Sequence, residues 1–69
     1  MDLDVEIMAF MADRGNATTD QVCRRFDRSK RFDVVRGLRK LAEDGYLTHN
    51  RVSGSWAMKG REANEALLL

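Results

Sequence analysis

The chain contains no proline, a single cysteine and a single histidine. With one cysteine, no internal disulfide can close and no cysteine cluster can hold zinc. Cys23 and His49 fall on different expected elements, the carboxylates are scattered over polar faces, and no glycine-rich phosphate loop occurs. A nucleophile, a base and an orienting group cannot be assembled from these parts, so no enzymatic chemistry is expected, and no cofactor or metal. No apolar run approaches the ~20 residues that a membrane span needs. Met1-Asp2-Leu3-Asp4 opens acidic, where a secretory leader opens basic and continues apolar. The chain is therefore expected to be cytoplasmic, with no membrane partner. It also lacks internal repeats and low-complexity segments. Its 69 residues make one domain, residues 1–69. A chain of this size buries only roughly 60% of its unfolded surface, which leaves no room for a deep substrate cleft.

What the chain has is charge in one place. Its total is +1, yet Arg24–Lys40 carries eight basic residues and two acids, a local +6, while the residues before it sum to −4 and those after it to −1. Protein surfaces usually mix their signs, so this concentration points to an anionic partner.

Hydrophobic spacing sets out the elements. Leu3, Ile7, Phe10 and Met11 stand at i, i+4, i+7 and i+8, which predicts a helix over 3–14 capped by Asp2 and ended by Gly15-Asn16. Its exposed side is acidic. Ala17-Thr18 can be briefly extended. Thr18 with Gln21 three residues later fits a capping box, with Thr19 the other candidate cap, and a second helix then runs to about Phe26. Asp27-Arg28-Ser29-Lys30 is turn-like, and Ser29 is a good cap for a third helix from about Lys30 to Asp44. Phe32, Val35, Leu38, Leu41 and Ala42 form the expected buried stripe of that helix, and Gly45 ends it. Gly37 inside a helix costs about 1 kcal/mol relative to alanine, so a close backbone approach there would explain it. Residues 46–52 are rich in strand formers and 56–58 alternate, which predicts two strands around the turn Ser53-Gly54-Ser55. Trp56 and Met58 share a face, on which Leu47 meets them. Residues 61–69 read as a last short helix. The fold class is mainly α with a β-hairpin, and the second and third helices have the arrangement of a helix-turn-helix.

Leu38-Arg39-Lys40-Leu41-Ala42-Glu43-Asp44-Gly45-Tyr46-Leu47 follows the pattern L-x-x-L-x-x-x-G-Y-L. It resembles the passage from recognition helix to wing in winged helix-turn-helix transcription regulators. The return Val52-Ser53-Gly54-Ser55-Trp56-Ala57-Met58-Lys59-Gly60 is similar to that family's wing return, and Trp56–Gly60 in particular to small FaeA/PapI-like regulators of fimbrial operons. The likeness covers nearly the whole chain and lies in the order of its parts. It implies a three-helix core, a two-stranded wing at about 46–58, a short C-terminal helix, and sequence-specific binding of double-stranded DNA for transcriptional regulation.

Carried over by position, the helix at about 30–44 enters the major groove and its base readers are Ser29, Lys30, Arg31, Asp33 and Val34, with Arg36 and Gly37 next along. Arg24, Arg25, Arg28 and Lys40 would meet phosphates, as would the hydroxyl of Thr18 or Thr19. Arg51, Ser53 and Ser55 are the wing candidates. Plainer roles stand beside these. Arg24, Arg25 and Arg39 can be merely solvated, and Arg39 can pair with Glu43 one turn on. Phe26, Phe32 and Trp56 are expected in the core, Cys23 is a small buried hydrophobe, and His49 is an ordinary residue near the wing. A single module of this size covers few base pairs, so a homodimer or a second DNA-binding protein is expected. The apolar Leu67-Leu68-Leu69 end either covers the core or meets such a partner. The rival function is a protein-interaction module whose basic stretch binds an acidic protein.

Overall fold

The computed structural model describes residues 2–59. Helix α1, Leu3–Arg14, begins where Asp2 accepts a hydrogen bond from the Asp4 backbone N–H (3.3 Å). It ends where Gly15, at φ +91°, donates its N–H to the Met11 carbonyl (2.8 Å). Asp4 and Glu6 sit at the positive end of the helix dipole and Arg14 at the negative end. Ile7 and Met11 are fully buried, with Leu3, Met8 and Phe10 packed around them. This helix has the limits its sequence predicts.

Asn16–Thr18 forms strand β1 and Thr19–Arg24 helix α2. The capping box is complete. The Thr18 N–H donates to Gln21 Oε1 (2.9 Å) and the Gln21 N–H to Thr18 Oγ1 (3.2 Å), which makes Thr18 the cap rather than Thr19. Helix α2 stops two residues short of Phe26. Arg25 and Phe26 donate to the carbonyls three residues back, Val22 and Cys23 (3.1 Å each), so the end is wound into a tighter turn.

The entry to the next helix differs from expectation. A single 3-10 turn, Arg28–Lys30, precedes helix α3, Arg31–Glu43, and Lys30 occupies the cap position without a side-chain cap. Ser29 lies inside that turn and caps nothing. The exit is a Schellman motif. Tyr46 donates to the Leu41 carbonyl (2.9 Å) and Gly45, at φ +87°, to the Ala42 carbonyl (3.1 Å).

The buried stripe of α3 is also rotated from the one expected. Val34, Gly37, Leu38 and Leu41 face the core, Val35 and Ala42 are half-buried, and Phe32 is 78% exposed. The cause is Gly37. A Cβ built there would lie 2.9 Å from Ile7 Cδ1 and 3.1 Å from Asp4 Oδ1, so α1 presses against the α3 backbone at this point. That approach turns Val34 inward, one helical turn before Gly37, and Phe32 outward. Hydrophobicity alone gives a glycine no weight in a stripe, which is why the phase was misread. Gly37→Leu is accordingly expected to cost on the order of 1–3 kcal/mol through overpacking. Gly37→Ala should be close to neutral, because the gain of ~1 kcal/mol in helix propensity offsets a small shift of the Ile7 terminal methyl. Thermal unfolding of the two variants followed by circular dichroism checks this, and equal melting temperatures would contradict the close approach.

Strands β2, Leu47–Asn50, and β3, Ser55–Met58, form the expected hairpin, but the sheet has three strands, in the order β1-β3-β2, all antiparallel. Trp56 on the central strand lies between Ala17 on one side and His49 on the other. Strand β2 ends at Asn50, two residues before the expected Val52. Asn50 Oδ1 accepts the N–H groups of Val52 (2.9 Å) and Ser53 (3.2 Å), and its carbonyl accepts that of Gly54 (2.7 Å). The turn is thus Arg51–Gly54, with Gly54 at φ +74°. The core joins Ile7 and Met11 to Ala17, Val22, Cys23, Val34, Leu38, Leu41, Leu47 and Trp56. Cys23 and Trp56 are buried as expected, Phe26 only partly so. The expected helix over 61–69 lies outside the described residues. No helix among the described residues is long and apolar enough to cross a membrane.

Candidate functional site

Helix α2, the turn after it and helix α3 carry all eight cations of the basic stretch, and every one is exposed. Carboxylates neutralise few of them. Among the described residues the ion pairs are Arg31 Nη2 with Asp20 Oδ1 at 2.9 Å and Lys40 Nζ with Asp4 Oδ2 at 4.0 Å. Arg24, Arg25, Arg28, Lys30, Arg36 and Arg39 make no such pair there.

These cations divide between faces. Arg28, Arg31, Arg36 and Arg39 line one open groove of about 560 Å³ with Ser29, Phe32 and Val35. A neighbouring depression shares Arg28 and Arg31 and adds Arg24 and Phe26. Five arginines therefore share a continuous surface whose lining, among the described residues, includes no acid. Arg25 is elsewhere. Its guanidinium lies 5.8 Å from the Phe26 ring centroid, and its side chain lines a groove with Glu6, Phe10 and Asp13 of α1. Successive helical residues point about 100° apart, so Arg24 and Arg25 diverge although they are adjacent in sequence. Lys40 and Asp33 stand on a mixed-charge flank with Asp4, Gly37 and Arg36.

Two residues expected to read bases cannot do so. Val34 is fully buried, and Gly37 is covered by Ile7 and Asp4. Ser29, Lys30, Asp33 and Arg36 are exposed. Arg31 is exposed too, but Asp20 holds its guanidinium, and that hydrogen bond raises its pKa above the ordinary arginine value. Its charge is therefore never in question. Arg39 makes no ion pair with Glu43 among the described residues. It instead lies one stripe along from Phe32 and Arg36, at positions i, i+4 and i+7, and correct phasing of α3 would have found it.

The two threonines are built into the fold. Thr18 Oγ1 accepts from Gln21 as the α2 cap, and Thr19 Oγ1 accepts from the Trp56 indole Nε1 at 2.9 Å. Each hydroxyl keeps its own hydrogen for donation. His49 stacks on Trp56 with ring centroids 4.0 Å apart and planes 13° from parallel. These contacts fix the hairpin against the start of α2. At the hairpin tip Arg51 is exposed, and Val52 is 98% exposed. The Ser53 and Ser55 hydroxyls bond to each other at 2.7 Å.

No protein-family model, curated protein or solved structure matches this chain. The chemistry of the surface is what speaks for function. Single exposed ion pairs contribute little, ~0–1 kcal/mol. Several guanidiniums with no ion pair among the described residues, clustered on one surface, sum to a field that attracts polyanions, and the planar fork of each can grip a phosphate or a guanine edge with two hydrogen bonds.

Proposed function

We propose that the protein is a winged helix-turn-helix domain that binds double-stranded DNA and regulates transcription. Helix α3 lies in the major groove and the β2–β3 hairpin serves as the wing. The observation that carries this reading is the run of arginines with no ion pair among the described residues, Arg24, Arg28, Arg36 and Arg39, along one side of α2, the 3-10 turn and α3. Lys30, Arg31, Arg36 and Asp33 address base edges. Arg24, Arg28 and Arg39 address phosphates, and Arg51 at the wing tip reaches the backbone or minor groove. A module this small covers roughly 600–1,000 Å² of DNA, so a homodimer or a second DNA-binding protein completes the site.

The test is binding of the purified chain to random-sequence duplexes at two salt concentrations, with sequencing of the retained fraction. Salt-sensitive binding with an enriched motif is expected, and a palindromic motif would identify a dimer. No binding at low salt would overturn the reading. One observation favours a second reading, an interaction module for an acidic protein: aromatic and arginine side chains are enriched together at protein interfaces, and Phe32 stands exposed among arginines.

Asp20 supplies a sharper test. It is the acid that holds Arg31, so Asp20→Asn should free that guanidinium and remove a negative charge beside the DNA. Binding to the selected duplex is expected to tighten several-fold, and by more than binding to a duplex in which the guanine that Arg31 reads is replaced. Titrations against the two duplexes measure this, and an equal gain on both would show that Arg31 does not read a base when released.

A further inference from the structure

Phosphates and guanines give Phe32 nothing to do, and Phe32 is the most unusual residue on this surface. It is a large apolar ring, 78% exposed, at the second position of α3, and it lines the same groove as Arg28, Arg36 and Arg39. Among the described residues only half-buried Val35 gives that groove further apolar character. A ring is no ligand for a phosphate. In the major groove of unmodified DNA the apolar group on offer is the C5-methyl of thymine.

We propose that Phe32 reads the C5-methyl group of a thymine, so that the bound sequence contains a thymine beside the guanines or phosphates held by Arg28 and Arg36. This inference rests on the DNA-binding reading and adds a specificity that charge cannot supply. The arginines bring the helix to the duplex whatever its sequence, whereas the ring gains only where a methyl meets it. Thymine is the ordinary source of that group, and 5-methylcytosine carries the same group at the same place.

The experiment uses the full chain and the best duplex from the random-sequence selection. Each thymine is replaced in turn by uracil, which removes only the methyl, and each cytosine in turn by 5-methylcytosine. One uracil replacement should weaken wild-type binding by about fourfold, the loss of one buried methyl at ~0.8 kcal/mol. Phe32→Ala should bind the thymine and uracil duplexes equally and keep the wild-type salt slope. Because the ring is exposed, that variant should also keep the wild-type circular dichroism spectrum. Specific binding with no uracil-sensitive position, or a thymine preference that survives Phe32→Ala, overturns the inference and leaves the DNA reading standing. A response to 5-methylcytosine alone overturns the thymine assignment. No binding to any duplex at low salt overturns the DNA reading and this inference with it.

Discussion

Replacing Arg28 and Arg36 together by alanine is expected to lower affinity for a selected duplex by about 10²–10³-fold, taking ~1–3 kcal/mol for each well-made contact. These two are the informative pair because neither has a carboxylate partner among the described residues and both line the groove that contains Phe32. Both side chains are exposed and make no ion pair or side-chain hydrogen bond among the described residues, so the double variant should melt like the wild type. Arg25→Ala is the control. It removes one charge where the pair removes two, but that side chain lies toward Glu6 and Asp13, and it should change binding by no more than about twofold. Anisotropy titrations over a salt series separate the two contributions. A shallower slope with unchanged sequence preference assigns the lost contacts to phosphates, and a lost preference at one position assigns them to a base edge. An Arg25→Ala loss half as large as the pair's on a logarithmic scale would mean that only total charge matters and that the groove is not the site.

The contrast between Arg24 and Arg25 also shows where the sequence stops being legible. Local signals were read well. The Asp2 cap, the Thr18/Gln21 box and the Gly45 exit each depend on a few neighbouring residues, and each is found where its residues stand. Properties that depend on distant residues were not legible. The phase of α3 is set by Ile7 and Asp4 meeting Gly37, a contact across the sequence that no stripe of hydrophobicity records. From that one misphasing followed the expectation that Phe32 is buried and that Val34 and Gly37 are available to a ligand. Ser29 failed as a cap for a related reason. A cap is inferred from residue type, but the tight turn closed by Lys30 on the Asp27 carbonyl (2.9 Å) puts Lys30 at that position instead. The third strand was half visible, since Ala17-Thr18 was read as extended, and its partners Trp56 and Ser55 are almost forty residues away. Charge concentration survived all of this. Eight cations in seventeen residues reach solvent whichever way the helices turn, although which of them act together is decided by the fold.

Trp56→Ala should leave a large part of the population unfolded at 25 °C. A domain of this length has a stability of roughly 3–10 kcal/mol at ~0.05–0.15 kcal/mol per residue. Truncating a buried tryptophan costs about 3–5 kcal/mol. Trp56 is 5% exposed on the central strand, belongs to the core cluster, stacks on His49 and donates to Thr19. It therefore joins the hairpin to the start of the helix that leads into the arginine surface. Trp56→Phe keeps most of the buried area and should cost less, about 1–2 kcal/mol, from the lost hydrogen bond and the smaller ring. Thr19→Val removes the other end of that bond and should cost no more than Trp56→Phe. Urea unfolding followed by far-ultraviolet circular dichroism measures all three, since the only tryptophan is the residue being changed. A Trp56→Ala variant that melts with wild-type helical signal would mean that the hairpin opens separately from the helices. Such a variant would still present its arginines, but with Arg51 no longer held in a fixed relation to α3. The hairpin's share of binding would then appear as the difference between that variant and Arg51→Ala. If the hairpin acts only through Arg51, the two lose the same affinity; if it also orients α2 through Thr19, Trp56→Ala loses more.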